Sequence, residues 1–260
     1  MNGYRLCQTK MAEVPYYIEN ISTNIYSLEE LCFYFQHNIY LLDETIINEG
    51  LCDWIRDELG QKQLYQRLYK EIENETGLAN FILPVFREIG YLTHEEFREL
   101  NIRLANIQNE PEVARWKMKG DYLLDHGKYI NALKVYQITL TEAKEGKLGG
   151  QFFGEIYHNM GCVHMRMFQY DEATECFRVA NEHMRSEASM RDYLTAFYLT
   201  KPKEKFQREA ESLNATAELI QSIEESVEMV KGSTAQKEIP QDTDEFLKKT
   251  AAEYHNSTGL

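Results

Sequence analysis

The feature that most limits what this sequence can fold into is an internal duplication. Five positions recur after 41 residues: Trp116, Gly120, Tyr129, Ala132 and Tyr136 are followed by Tyr157, Gly161, Tyr170, Ala173 and Phe177. Each pair matches in type, aromatic with aromatic and small residue with small residue. A period of this length indicates a repeat architecture, in which each copy is one supersecondary unit that packs against the next. We therefore predict that Gly120 and Gly161 lie where two helices approach closely.

The duplicated pattern resembles the tetratricopeptide repeat, a helix-turn-helix unit with an aromatic and a small residue on its first helix and Ala and an aromatic on its second. The resemblance covers residues 114–180, and the first copy departs from the pattern at Lys119 and Thr139. The usual repeat has about 34 residues, so the longer spacing implies an insertion of roughly seven. We place this insertion at residues 145–150. The resemblance implies a right-handed α-α superhelix, that is, a solenoid like those of tetratricopeptide repeat proteins.

Helical patterning extends on both sides of the repeats. Ser27 to Glu30 and Thr93 to Glu96 have the sequence of capping boxes, each followed by apolar residues at helical spacing. Pro84 interrupts another apolar stripe, where we expect a kink or a helix start. Strict alternation of apolar and polar residues persists nowhere, and 14 Gly with 5 Pro offer little turn chemistry for a large β architecture. These observations predict an all-α fold.

Charge and patterning divide the chain. Residues 1–110 carry a net charge of −9, residues 111–200 carry −1 and residues 201–260 carry −4. We predict an acidic N-terminal helical domain or solenoid extension over 1–110, the repeats over 111–200, a long C-terminal helix over 201–231 and a mobile tail over 232–260. Apolar residues recur every seven positions on the long helix, at Phe206, Leu213, Ile220 and Val227. Two interpretations stay open: the helix caps the repeats, or residues 206–230 mediate self-association.

Composition and motifs argue against several functions. The total net charge of −14 disfavours a nucleic-acid partner, and the apolar stretches are far shorter than the roughly 20 residues that membrane insertion requires. With no signal segment apparent, we expect a cytoplasmic protein whose five scattered cysteines are thiols. His158, Cys162 and His164 lack the second Cys/His pair of a zinc site. Phosphate-binding, dinucleotide-binding and nucleophile motifs are missing, so we expect no catalytic residue, metal or cofactor.

With these functions disfavoured, the sequence favours the recognition of a protein segment or peptide. In tetratricopeptide repeat proteins the first helices line a concave groove that holds a protein segment or peptide, and the resemblance carries this role to exposed positions on the two first helices here. Asn159 is the foremost candidate, since an amide both donates and accepts hydrogen bonds; alternatively, it only satisfies a neighbouring helix. The candidate positions are Lys117, Asp121, Asp125, His158, Asn159, Cys162, Met165 and Arg166.

Three functions are compatible with this sequence. The first is a non-enzymatic adaptor or scaffold that binds a protein segment in its groove. The second is a regulatory sensor similar to the repeat-containing bacterial regulators that respond to peptides, without a DNA-binding module of its own. The third is an enzyme with an all-helical pocket. The partner, the oligomeric state and the pathway stay open.

Overall fold

The computed structural model describes residues 9–21, 23–143, 148–233 and 242–258. Within these ranges the protein is helical apart from one two-stranded sheet. The chain divides into two compact units, Met1–Arg185 and Ser186–Leu260. The boundary after Arg185 lies within the predicted repeat region 111–200, and residues 1–110 share a unit with the helices of residues 112–184.

The N-terminal part of the first unit combines a short hairpin with five helices. Strands β1 (Tyr16–Ile18) and β2 (Thr23–Ile25) pair antiparallel, with Tyr16 opposite Ile25. Because each strand has only three residues, the sheet leaves no alternation for sequence reasoning to detect. The strands are joined by a 3-10 turn, and two more 3-10 turns follow the first helix; the turns are Glu19–Ile21, Ile39–Leu41 and Glu44–Ile46. The helices are α1 (Leu28–His37), α2 (Glu49–Asp57), α3 (Lys62–Glu73), α4 (Leu78–Glu88) and α5 (His94–Asn109).

Two helix starts were predicted from capping boxes, and one of the two boxes is complete. Thr93 accepts from the Glu96 backbone N–H, and the Glu96 side chain accepts in return from the Thr93 N–H. Ser27 also accepts from the backbone N–H of Glu30, at 3.2 Å. The Glu30 carboxylate, however, accepts from the Tyr26 N–H and not from the Ser27 N–H. Both helices begin where predicted, but the reciprocal contact at α1 is displaced by one residue.

Pro84 lies inside helix α4. The sequence left a helix start at this position open, and that alternative is wrong because α4 begins six residues earlier at Leu78. The helix continues through the proline since its neighbours Ile82, Val85 and Phe86 are all buried in the core formed with α1 to α5. Burial of these side chains outweighs the lost backbone hydrogen bond.

The duplicated segment forms two helical hairpins, as the repeat predicts. The first consists of α6 (Glu112–Asp125) and α7 (Tyr129–Glu142), and the second of α8 (Gly150–Arg166) and α9 (Tyr170–Met184). The two glycines lie at close helix approaches: a Cβ on Gly120 would come within 2.5 Å of the Tyr136 ring, and a Cβ on Gly161 within 2.7 Å of the Phe177 ring. The prediction that small residues permit this packing is confirmed.

The proposed insertion falls in the connection between the hairpins. Helix α7 ends at Glu142 and α8 begins at Gly150, so the predicted insertion lies between the two helices and includes the first residue of α8. Residues 145–147 of the predicted insertion lie outside the described residues.

The second unit contains α10 (Glu187–Thr200), α11 (Lys203–Ser212), α12 (Ala217–Ser233) and α13 (Thr243–Thr258). The prediction of one long helix over residues 201–231 is wrong, because two helices occupy this range. Asn214 adopts a left-handed φ of 55° between α11 and α12, a conformation that Asn tolerates better than most residues. The break lets both helices turn their apolar faces to α10, forming a core of Leu194, Phe206, Ala210, Leu219 and Ile223. The region predicted as a mobile tail includes helix α13, while residues 234–241 lie outside the described residues.

Candidate binding face on the repeat helices

Four polar side chains meet where helix α6 lies beside helix α8. We call this surface the α6–α8 face and define it by Lys117 and Asp121 on α6 and by Glu155 and Asn159 on α8. On each helix the two residues are four positions apart, so they occupy one side of it. The first helices of the two repeats therefore present their polar sides to each other.

Asp121 is the centre of this arrangement. Its Oδ1 accepts a hydrogen bond from the Asn159 amide Nδ2 at 2.8 Å and another from the Tyr136 hydroxyl at 2.7 Å. Its Oδ2 pairs with the Lys117 ammonium at 2.9 Å. Because the three donors come from α6, α7 and α8, this carboxylate connects the first hairpin with the second.

The ammonium of Lys117 lies between two carboxylates. Besides Asp121 it contacts Glu155 at 3.3 Å, and its side chain is 18% exposed. Burial alone lowers the pKa of Lys117, but the hydrogen bonds and negative charges of the two carboxylates outweigh it and raise the pKa above its ordinary value. The lysine therefore stays charged, and the three groups together carry a net charge of −1.

The buried Tyr136 hydroxyl is also held in one protonation state. Burial, and then the adjacent Asp121 carboxylate, raise the pKa of Tyr136 far above that of an exposed tyrosine. The hydroxyl consequently keeps its proton and acts as a donor to Asp121. The phenol is thus a fixed hydrogen-bonding group in the repeat core and not a titrating one.

The other predicted site residues are more loosely arranged. His158 and Cys162 lie one turn apart on α8, with Nε2 and Sγ separated by 3.5 Å, and the His158 ring lies 5.5 Å from the Phe177 ring. Asp125 and Arg166 are exposed at the ends of α6 and α8, and Met165 is half-buried.

The structure corrects the expectation that all eight predicted residues are exposed. Only Asp125 and Arg166 are; the remaining six are half-buried by neighbouring helices. Asn159 in particular donates to Asp121, which is the structural alternative considered for it. The Asn159 amide also lies within hydrogen-bonding reach of the Tyr136 hydroxyl, so its carbonyl oxygen is the atom left for further contacts.

Sequence reasoning missed two members of the network, Tyr136 and Glu155. Tyr136 was recognised only as a packing residue of the repeat, although a buried tyrosine hydroxyl usually finds a partner. Glu155 precedes Asn159 by one helical turn, which was the available signal. Its role depends on Lys117 of another helix, 38 residues away, and helical spacing alone does not report such a contact.

No protein-family model, curated protein or solved structure matches this chain.

Of the helices in the described part of the chain, none combines the length and the apolar character needed to cross a membrane. Among the same residues, no three His, Cys, Asp or Glu side chains are grouped as a metal ion requires. The described cysteines, Cys32, Cys52, Cys162 and Cys176, are free thiols.

Proposed function

We propose that the protein is a non-enzymatic helical-repeat adaptor similar to tetratricopeptide repeat proteins, and that its α6–α8 face binds a protein segment. One observation carries the proposal. The two hairpins repeat the same contact between a small residue of the first helix and an aromatic of the second, Gly120 with Tyr136 and Gly161 with Phe177. A superhelical arrangement of these hairpins is part of the proposal, since stacked units of this kind create a concave surface from their first helices.

The chemistry of the face suits an extended main chain. The Asn159 carbonyl oxygen is an acceptor for a backbone N–H of the segment. Its orientation is set by Asp121, so little side-chain entropy is lost when a ligand binds. Arg166, at the end of α8, is an exposed cation for an acidic side chain of the segment. Asp125 and the net negative charge around Lys117 disfavour a strongly acidic ligand near α6.

A display selection with random linear peptides on the immobilised full chain tests this function. Recovered peptides are synthesised with a fluorophore, and their Kd is measured by anisotropy. We expect Asn159→Ala combined with Arg166→Ala to weaken binding by at least about tenfold, the effect of losing one or two hydrogen bonds of which one is charged.

A matched control changes exposed polar residues on the second helix of a hairpin. Lys134 and Gln137 on α7 are both exposed, and Lys134→Ala combined with Gln137→Ala leaves the α6–α8 face intact. Peptide affinity is expected to stay within about twofold of wild type, as is usual for surface changes outside a contact. Failure to recover any enriched peptide, or equal affinity for wild type and the Asn159/Arg166 variant, contradicts the proposal.

A further inference from the structure

A cavity of about 420 Å³ lies on the first unit, between helix α6 and the 3-10 segment that follows α1. Its walls include the aromatic side chains of Tyr40 and Trp116 and the apolar side chains of Leu42 and Ile107. Volumes of this order are typical of small-molecule sites. The cavity therefore has both the size and the mixed lining of a ligand site.

The cavity and the α6–α8 face use different sides of α6. Arg115 and Lys119 line the cavity, whereas Lys117 and Asp121 belong to the α6–α8 face. Lys117 follows Arg115 by two positions, and Asp121 follows Lys119 by two. Two positions along an α-helix correspond to a rotation of roughly 200° about its axis, so the two pairs lie on different sides of α6. The inference below consequently does not depend on the proposed function.

Arg115 contributes a cation that the described residues leave unmatched. Its Nε is buried without a hydrogen-bond partner, and no described residue forms an ion pair with its guanidinium. Guanidinium groups are always charged, and a buried donor without a partner is costly. The other cation of the cavity, Lys119, is neutralised by Asp43 at 2.6 Å. Arg115 is thus the cationic group of this cavity that lacks an acceptor among the described residues.

The acceptor that fits Arg115 best is planar and anionic. A guanidinium presents parallel N–H groups that match the two oxygens of a carboxylate. Glu44 and Glu112 line the same cavity and are both exposed. The carboxylates of Glu44 and Glu112 disfavour a ligand that carries only negative charge. They favour a ligand that also has an ammonium group.

We propose that this cavity binds a small zwitterionic carboxylate of the free α-amino acid class. The ligand carboxylate accepts from Arg115, and its ammonium group interacts with Glu44 or Glu112. Its side chain packs against Trp116 and Tyr40. Lys119 and Asp43, held to each other, form a fixed polar wall.

Calorimetric titration of the full chain with glycine, leucine and phenylalanine tests the proposal, with N-acetyl-leucine, N-acetyl-phenylalanine, acetate and inorganic phosphate as comparison probes. We expect at least one free amino acid to bind, and its N-acetyl counterpart to bind at least tenfold more weakly. Arg115→Gln is expected to weaken amino-acid binding at least tenfold, and Arg115→Lys to restore part of it. The matched control is Arg103→Gln, at an exposed arginine of α5. We expect the affinity of this variant for the amino acid to equal that of wild type.

A spectroscopic readout places the ligand independently of Arg115 variants. The chain has two tryptophans, and the Trp54→Phe chain retains only Trp116, which lines the cavity. We expect its fluorescence to change with the same midpoint as the calorimetric titration. The proposal is overturned if no free amino acid binds, if Arg115→Gln binds as wild type does, or if Trp116 does not respond. Equal binding of the N-acetyl probe, or binding of phosphate alone, overturns the assignment of a zwitterionic carboxylate.

Discussion

Phe168 adopts the same left-handed backbone conformation as Gly127, which lies 41 residues earlier. The φ values are 60° and 70°, and both residues occupy the turn between the two helices of a hairpin. Glycine reaches this region without a steric penalty, whereas a side chain with a Cβ does not. The second repeat therefore has the same turn as the first, but Phe168 adopts the left-handed conformation there at a steric cost that Gly127 does not have. The Phe168 side chain is 77% exposed, so burial does not offset this strain.

The strained turn predicts an unusual order of stabilities at position 168. Alanine normally stabilises a chain relative to glycine by about 0.5–1 kcal/mol, because glycine loses more entropy on folding. At φ 60° we expect the reverse, with Phe168→Gly more stable than Phe168→Ala by about 1 kcal/mol. Both variants lose the edge-to-face contact with Tyr170 equally, so their difference isolates the backbone. Urea unfolding of the two variants provides the measurement, and a more stable Ala variant contradicts it.

The close approach of Gly161 to Phe177 predicts a large cost for one added methyl group. We expect Gly161→Ala to lower the free energy of unfolding by about 2 kcal/mol, since the Cβ would lie 2.7 Å from the ring. Adding Phe177→Leu gives the methyl group space, so the double variant should lose less than the two single changes together. Thermal and urea unfolding of the three variants measure this coupling.

Gly232 supplies the control for that experiment. It is an exposed residue of helix α12, and a Cβ there would meet nothing within 4 Å. We expect Gly232→Ala to be neutral or to stabilise by up to about 1 kcal/mol, as alanine does in exposed helices. A loss at Gly161 no larger than the effect at Gly232 would show that the repeat core accommodates the methyl group.

The Asp121 carboxylate predicts a strong coupling with Tyr136. Asp121→Ala leaves the buried Tyr136 hydroxyl without its acceptor, and we expect a loss of about 2 kcal/mol. Tyr136→Phe in the same background removes the orphaned hydroxyl, so the double variant should be no less stable than Asp121→Ala alone. A double-mutant cycle by urea unfolding measures this coupling. The exposed Asp125→Ala control should change stability by less than about 0.5 kcal/mol.

The ion pair between Asp43 and Lys119 predicts a dependence of stability on pH. Burial alone would raise the pKa of Asp43, but the hydrogen bonds from Lys119 and Thr45 outweigh it and lower the pKa below the ordinary 3.8. A carboxyl group with a lowered folded-state pKa stabilises the protein above its unfolded-state pKa, and this contribution disappears as the pH falls through the folded-state value. Wild type should therefore exceed Asp43→Asn in stability at neutral pH.

The same pair of proteins is then compared in acid. We expect the difference in unfolding free energy to shrink as the pH falls below 3.8, the ordinary pKa of an aspartate. The Asp43 side chain is 39% exposed, so solvent screening keeps the difference at neutral pH near or below about 1 kcal/mol. A difference that is constant across this pH range would show that the Asp43 charge does not contribute.

The sequence alone was sufficient to predict the helical class, the duplicated hairpins and the close contacts at Gly120 and Gly161. These features depend on residue spacing within one helix or on the repeated offset of 41 residues. Both patterns can be recognised in the sequence itself. The helix starts after Ser27 and Thr93 were predictable for the same reason, because a cap and its helix are contiguous in the chain.

Only the tertiary structure determined which helix faces meet. Lys119 and Asp43 are 76 residues apart, and Asn159 and Asp121 are 38 apart, so no local pattern connects either pair. The break at Asn214 likewise follows from packing, since a continuous stripe from Phe206 to Val227 is compatible with one helix or with two. Local spacing determines that a helix forms and which side of it is apolar. The contacts that build a site depend on chain segments brought together by burial of the whole core, and that information is not local.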